Sequence, residues 1–373
     1  MIDELTIEKL EKEVLLKFGW LFKNSINEFS TLIDRSLGYL DKIVLPLVIA
    51  SKQAKSYNPF SEIIEKYAIH ILTNKLEKEG YELLPLGYSA DLTLENNQHI
   101  LSIDVKTANL DNPSDFKETI PVGINQMTHV ARLRINKSFL PSPYFVYPTI
   151  PPFYKLPDGK VKLIFTYGLM FIYPPYRDLI DKIREEYIEL CEFFRKKVKK
   201  ILVPIISKEL NISEEEAGQI LSGKPEKSRY TREELISESI IRGIFIHEQQ
   251  RDEILRNLNI DVNSKMIIDK FSKELNTFSE NLRKRDVKPI AIIAISIPNG
   301  LLKEKYIDKF VSGKNYSKSA RYHYEDGVFE VIKERTKEEF PRVIFLDVNE
   351  AYLKELKKYF KRIILLDYQL RFL

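Results

Sequence analysis

With one cysteine, Cys191, in 373 residues, the chain can build neither an internal disulfide framework nor a cysteine-based zinc site, which suits a reducing compartment. Its five histidines, His70, His99, His129, His247 and His323, show no metal-ligand spacing. Long apolar runs are missing too: the longest, PIAIIAISIP at 289–298, falls well short of the roughly 20 residues that cross a bilayer. Neither sign of charge prevails. Fifty-eight basic against 54 acidic residues leave a net charge of +4, too slight to make nucleic acid the default partner, so any basic surface must be local. The opening MIDELTIEKLEKE is charged throughout and is no signal peptide. These absences lead to the expectation of a soluble, cytoplasmic protein without a membrane partner or an organic cofactor.

What is present is core material: 44% of the residues are apolar, enough for two or three domains or one elaborated domain. Helical spacing (Leu10, Val14, Leu15, Phe18) marks residues 1–57 as an N-terminal helical section. A further helix follows, with Asn58 as its cap and Pro59 in its first turn. Strands are expected at Glu82 to Leu86, Asp91 to Glu95 and His99 to Thr107, the last two joined at Asn96-Asn97. Residues 108–160 are rich in proline and poor in periodicity, and read as a long functional loop. KVKLIFTYGLMFIYPPY reads as one strand, or two bent at Gly168. The divisions expected are thus 1–57, a core at 58–175, a helical section at 176–285, and a C-terminal α/β section at 286–373 packing with the core. The fold class is α/β, mixed α+β, with a central mixed sheet flanked by helices.

The stretch YSADLTLENNQHILSIDVKTANL, residues 88–110, carries the chemistry. Strand residues two apart share a face, so Asp104 and Lys106 project together while Ile103 and Val105 point the other way. A hairpin returns the chain so that Asp91 lies near Asp104, and two carboxylates then face one pocket. Hard oxygen ligands of this kind suit Mg²⁺, which binds one or two carboxylates and keeps several waters. Lys106 can reach the same phosphate or the attacking water, which supplies what phosphodiester hydrolysis needs.

Asp91, Asp104 and Lys106, with 12 residues between the acids, resemble the active site of the PD-(D/E)xK nucleases, the superfamily of many type II restriction endonucleases. Ser89-Ala90 stands where the motif has its proline. The resemblance covers residues 58–130. It implies a Mg²⁺-dependent, sequence-specific endonuclease acting on double-stranded DNA, and a homodimer if the target is a palindrome cut on both strands. It also implies a helix glutamate facing the metal. Glu65, with Ala68 and Leu72 at +3 and +7, lies on the semi-apolar face, whereas Glu62 looks solvated.

DNA contacts are expected from two segments. VGINQMTHVARLR offers Asn125, Gln126, Thr128, Arg132 and Arg134 for base edges. FVSGKNYSKSARYHYEDG offers Lys314, Lys318, Arg321 and Tyr322 for phosphates and sugars, with a mobile surface loop as the alternative. RKKVKK at 195–200 reads as the solvated end of a helix. Three readings stay open beside restriction: a structure-specific nuclease of repair or recombination, a DNA-binding protein with a degenerate site, and an α/β protein whose Asp104-Lys106 pair is only a surface ion pair.

Overall fold

The computed structural model describes residues 2–37, 61–84, 90–133, 144–175, 177–226, 228–246, 288–312, 319–324, 327–367 and 371–372, with scattered positions between 266 and 280. The expected cap at Asn58 and Pro59 lies outside these residues.

Two strands that are buried over most of their length form the middle of the larger sheet: β3 (His99–Asn109) and β8 (Val161–Tyr173), parallel and paired along all of β3. Burial on both faces explains why β8 reads as an unbroken apolar run rather than an alternating one. It is a single strand with no break at Gly168. β1 (Glu82–Leu83) and β2 (Leu92–Glu95) extend the sheet antiparallel on one side. On the other side lie β9 (Ala291–Ile297), β12 (Val343–Val348), β13 (Ile364–Leu365) and β14 (Arg371–Phe372), while β7 (Phe153–Lys155) pairs with the start of β8. This nine-stranded sheet is mixed, as expected.

Residues 108–160 differ from the expected loop. They hold β4 (Thr119–Gly123), β5 (Ala131–Leu133) and β6 (Tyr144–Val146), which join β10 (Phe310–Ser312) and β11 (Ser319–His323) in a second sheet ordered β4-β11-β10-β5-β6. Strands of three to five residues that find partners some 200 positions away leave no local period to read. Pro121 is tolerated because β4 is an edge strand.

Helices α1 (Glu4–Lys23) and α3 (Ser61–Glu77) pack side by side, with α2 (Ile26–Leu37) between them in sequence. α1 covers β9 and β12, and its Phe18 and Phe22 meet Tyr167 and Phe171 of β8. It is also anchored by charge. Arg342, fully buried, pairs with Glu8 at 3.1 Å and Glu11 at 2.8 Å, and donates to the Tyr306 hydroxyl and Ser296. Glu8 accepts from the backbone N–H of Ile332 in α7 (Glu330–Thr336), and Glu11 from that of Asn299. Nearby, the two sheets meet where Gly300 donates its N–H to Thr128 Oγ1. A Cβ on Gly300 would lie 2.0 Å from the Thr128 carbonyl oxygen. Gly300→Ala should therefore cost about 1–3 kcal/mol, read as a lower urea midpoint; an unchanged midpoint would contradict this close approach.

The chain divides into two units. The first, residues 1–33, 61–175 and 287–373, contains both sheets. The second, residues 34–60 and 176–286, is helical where described. There α5 (Glu214–Ser222) and α6 (Arg232–Ile246) pack on the 34-residue α4 (Arg177–Leu210). Ser213 with Glu216 forms a capping box at the start of α5, and Thr231 with Glu234 repeats the pattern before α6. RKKVKK lies inside α4 rather than at its end, and Arg195 and Lys199 stand 3.7 and 3.9 Å from Glu233. Among the described residues no helix is long and apolar enough to cross a membrane.

Candidate active site

The β2–β3 hairpin pairs Leu92 with Ile103, so Asp91, one residue before β2, comes opposite Asp104. The turn is tight because the Asn96 side chain accepts from the N–H groups of Gln98 and His99, at 2.8 and 2.9 Å. Asp91 is exposed, and one of its oxygens accepts from Val105 N–H at 2.7 Å, which holds it beside β3. Asp104 is 2% exposed. Its Oδ2 pairs with Lys106 Nζ at 2.6 Å, and its Oδ1 accepts from Gln126 Nε2 at 2.7 Å.

Burial pushes the Asp104 carboxyl up to about 7, Lys106 lowers it, and the facing Asp91 raises it again. Like charges opposite each other across a hairpin are unfavourable, and a single half-exposed lysine balances only one of them. This excess of hard, anionic oxygen fits a divalent cation that keeps most of its waters.

Asp91, Asp104 and Lys106 are thus brought together. Glu65 is not added to them as a third carboxylate: among the described residues no group of three His, Cys, Asp or Glu side chains is placed to hold a metal ion. Glu65 is half-buried on α3, which packs beside α1 against β3. The Glu62 side chain lies outside the description.

The two segments expected to contact DNA come together in the second sheet, but several of their residues are turned inward. Tyr322 is 1% exposed and stacks on Phe310 at 4.9 Å, so it is part of the sheet's core and not a surface contact. Thr128 is buried on Gly300, and Gln126 has both ends of its amide engaged within the protein. Arg132 pairs with Asp308 at 2.5 Å, and Arg321 donates to the Ser114 carbonyl and to Thr119. Both arginines keep part of their surface in solvent, as does Asn125 in the turn after β4. Arg134, Lys314 and Lys318 lie outside the described residues.

Gly168 has a role that sequence reasoning misses. It pairs with Asp104 across the parallel ladder, and a Cβ there would meet the Ile120 side chain of β4 at 2.7 Å. The absent side chain lets the second sheet settle over β8 beside Asp104. An isolated glycine inside an apolar strand is the available signal for such an approach.

A mixed sheet with a parallel β3–β8 centre thus carries a hairpin that presents two acids and a lysine on one face. Residues 3–177 match the family model described as type II restriction enzyme MwoI, N-terminal domain. Among solved structures the chain is similar to the restriction endonuclease BglI bound to its DNA recognition sequence. The identity is 14%, over 92% of this chain and 94% of that one, with a TM-score of 0.44. It is also similar to the tetrameric restriction endonuclease SfiI bound to cognate DNA, at 11% identity over 83% of this chain and 81% of that one, with a TM-score of 0.33. A comparison with curated protein sequences finds no match.

Proposed function

We propose that this protein is a type II restriction endonuclease that hydrolyses phosphodiester bonds of double-stranded DNA at a specific sequence, with Mg²⁺ held by Asp91 and Asp104. The observation that carries this reading is the facing pair Asp91 and Asp104, with Lys106 ion-paired to the buried member. The restriction-enzyme match over residues 3–177 supports it.

When bound, Mg²⁺ supplies charge stabilisation and a water of lowered pKa. Asp91, steadied by Val105 N–H, and Asp104 would provide its protein ligands. Because Asp91 is exposed, the site is open to water and to a substrate phosphate. Lys106 is 29% exposed at its side chain, so its ammonium can leave Asp104 and donate to a phosphate oxygen or to the attacking water. Asn125, Arg132 and Arg321 on the second sheet, with Arg134, Lys314 and Lys318, are the candidate DNA contacts. A palindromic target cut on both strands calls for a homodimer, one site per strand.

The test is cleavage of supercoiled plasmid by the full chain with Mg²⁺. Discrete fragments are expected, and Lys106→Ala should lower the rate at least about 100-fold with an unchanged circular dichroism spectrum. Nicking that follows DNA structure would favour a repair-type nuclease, and binding without cutting would favour a degenerate site.

A further inference from the structure

Gln126 sits in the turn between β4 and β5, where its backbone N–H closes onto the Gly123 carbonyl at 2.9 Å. Its side chain spans two strands' worth of structure. Oε1 accepts from Gly123 N–H at 2.7 Å, while Nε2 donates to Asp104 Oδ1 at 2.7 Å. The direction of the amide follows from its partners. Reversed, it would set an oxygen against a carboxylate and an NH₂ against an N–H, so the turn itself fixes which end faces Asp104.

A carboxylate rotates broadly about its last torsion, and two anchors are needed to set its plane. Asp104 has two: Lys106 on Oδ2 and Gln126 on Oδ1. Lys106 is half-exposed and is the group expected to move toward substrate. Gln126 is 9% exposed and held at its far end, so it is the fixed anchor.

We propose, on the reading that Asp104 is a metal-holding carboxylate, that Gln126 is a positioning residue. It sets the plane of that carboxylate, and it makes the setting depend on how the second sheet is seated. The dependence has two points of contact. Gln126 is the polar one, and Ile120 against Gly168, the cross-strand neighbour of Asp104, is the apolar one. A sheet that carries candidate DNA contacts thereby touches the catalytic strand at the catalytic residue.

The experiment compares wild type with Gln126→Met, Gln126→Ala and Gln126→Asn, all as full chains. Methionine keeps the volume without the donor, and asparagine keeps an amide one methylene too short for the bridge. All three should lower kcat about 10- to 100-fold and raise the Mg²⁺ concentration for half-maximal cutting by about the same factor. KM for DNA and metal-free DNA binding should stay within about twofold. Mn²⁺ binding to the protein–DNA complex, followed by the resonance of free Mn²⁺, should weaken in parallel with the Mg²⁺ requirement, a readout independent of cutting. Wild-type kcat and metal requirement in any folded variant overturns the proposal, as does loss of DNA binding in step with kcat. If wild type itself does not cut while folded and binding DNA, the underlying functional reading fails instead, which is a separate outcome.

Discussion

Asp104→Asn should abolish cutting, by at least about 1,000-fold, and should at the same time make the metal-free protein more stable at alkaline pH. The two effects have one cause. Burial, with the facing Asp91, pushes the Asp104 carboxyl up to about 7 from an ordinary 3.8, so the folded protein resists ionising it. Below about pH 4 the group is protonated in both folded and unfolded chains, and substitution gains nothing. As pH rises from about 4 to about 7 the unfolded chain releases the proton and the folded one does not, so wild type loses stability; above about 7 the loss is complete. Three pKa units correspond to about 4 kcal/mol, an upper bound because Lys106 also loses its partner in the variant. Asparagine cannot ionise and escapes this loss. Thermal melts of both proteins in chelator across this range, with plasmid cleavage alongside, test both halves. A variant that loses stability at about pH 8 would show Asp104 to be structural, and a variant that still cuts would remove it from the site.

Arg342→Leu should cost about 3–5 kcal/mol, among the largest single-residue losses available in this fold. Arg342, Glu8 and Glu11 are each within 1% of complete burial. Removing the cation leaves two glutamates of α1 facing each other without a counter-charge. Burial already raises the Glu11 carboxyl, Arg342 being the chief influence that lowers it. The guanidinium also stacks on Phe329 at 4.1 Å and Tyr306 at 4.6 Å, contacts that leucine recovers only in part. A urea midpoint falling by the equivalent free energy supports this account. Replacing Arg342, Glu8 and Glu11 together by apolar residues should recover much of the loss, since the penalty belongs to the unpaired charge. A neutral single substitution would show that the cluster does not hold α1 in place.

The hairpin and its acids are legible because everything that positions them is local. Asn96 makes the turn, Ile100, Leu101, Ile103 and Val105 mark β3 as a core strand, and the two-residue period puts Asp104 and Lys106 on one face. The second sheet is not legible, since β4 and β5 find their partners in β11 and β10 far along the chain. Tyr322 shows the same difficulty at one residue. Lysines around it suggest a surface, yet β11 alternates, and Ala320 and Tyr322 go inward while Arg321 goes outward. Gln126 reads as a base-contacting side chain among other polar residues. Only the approach of its turn to β3 shows its partner to be Asp104.

The hydrogen-bonded ladder between β3 and β8 runs through all 11 residues of β3, with Asp104 near its middle. Asp91 belongs to no ladder and is tied to β3 through its side chain, which accepts from Val105 N–H. Hydrogen exchange should therefore protect the amides around Asp104 far more than that of Asp91. A cation shared by the two would clip the loosest corner of the hairpin to the stiffest strand in the sheet.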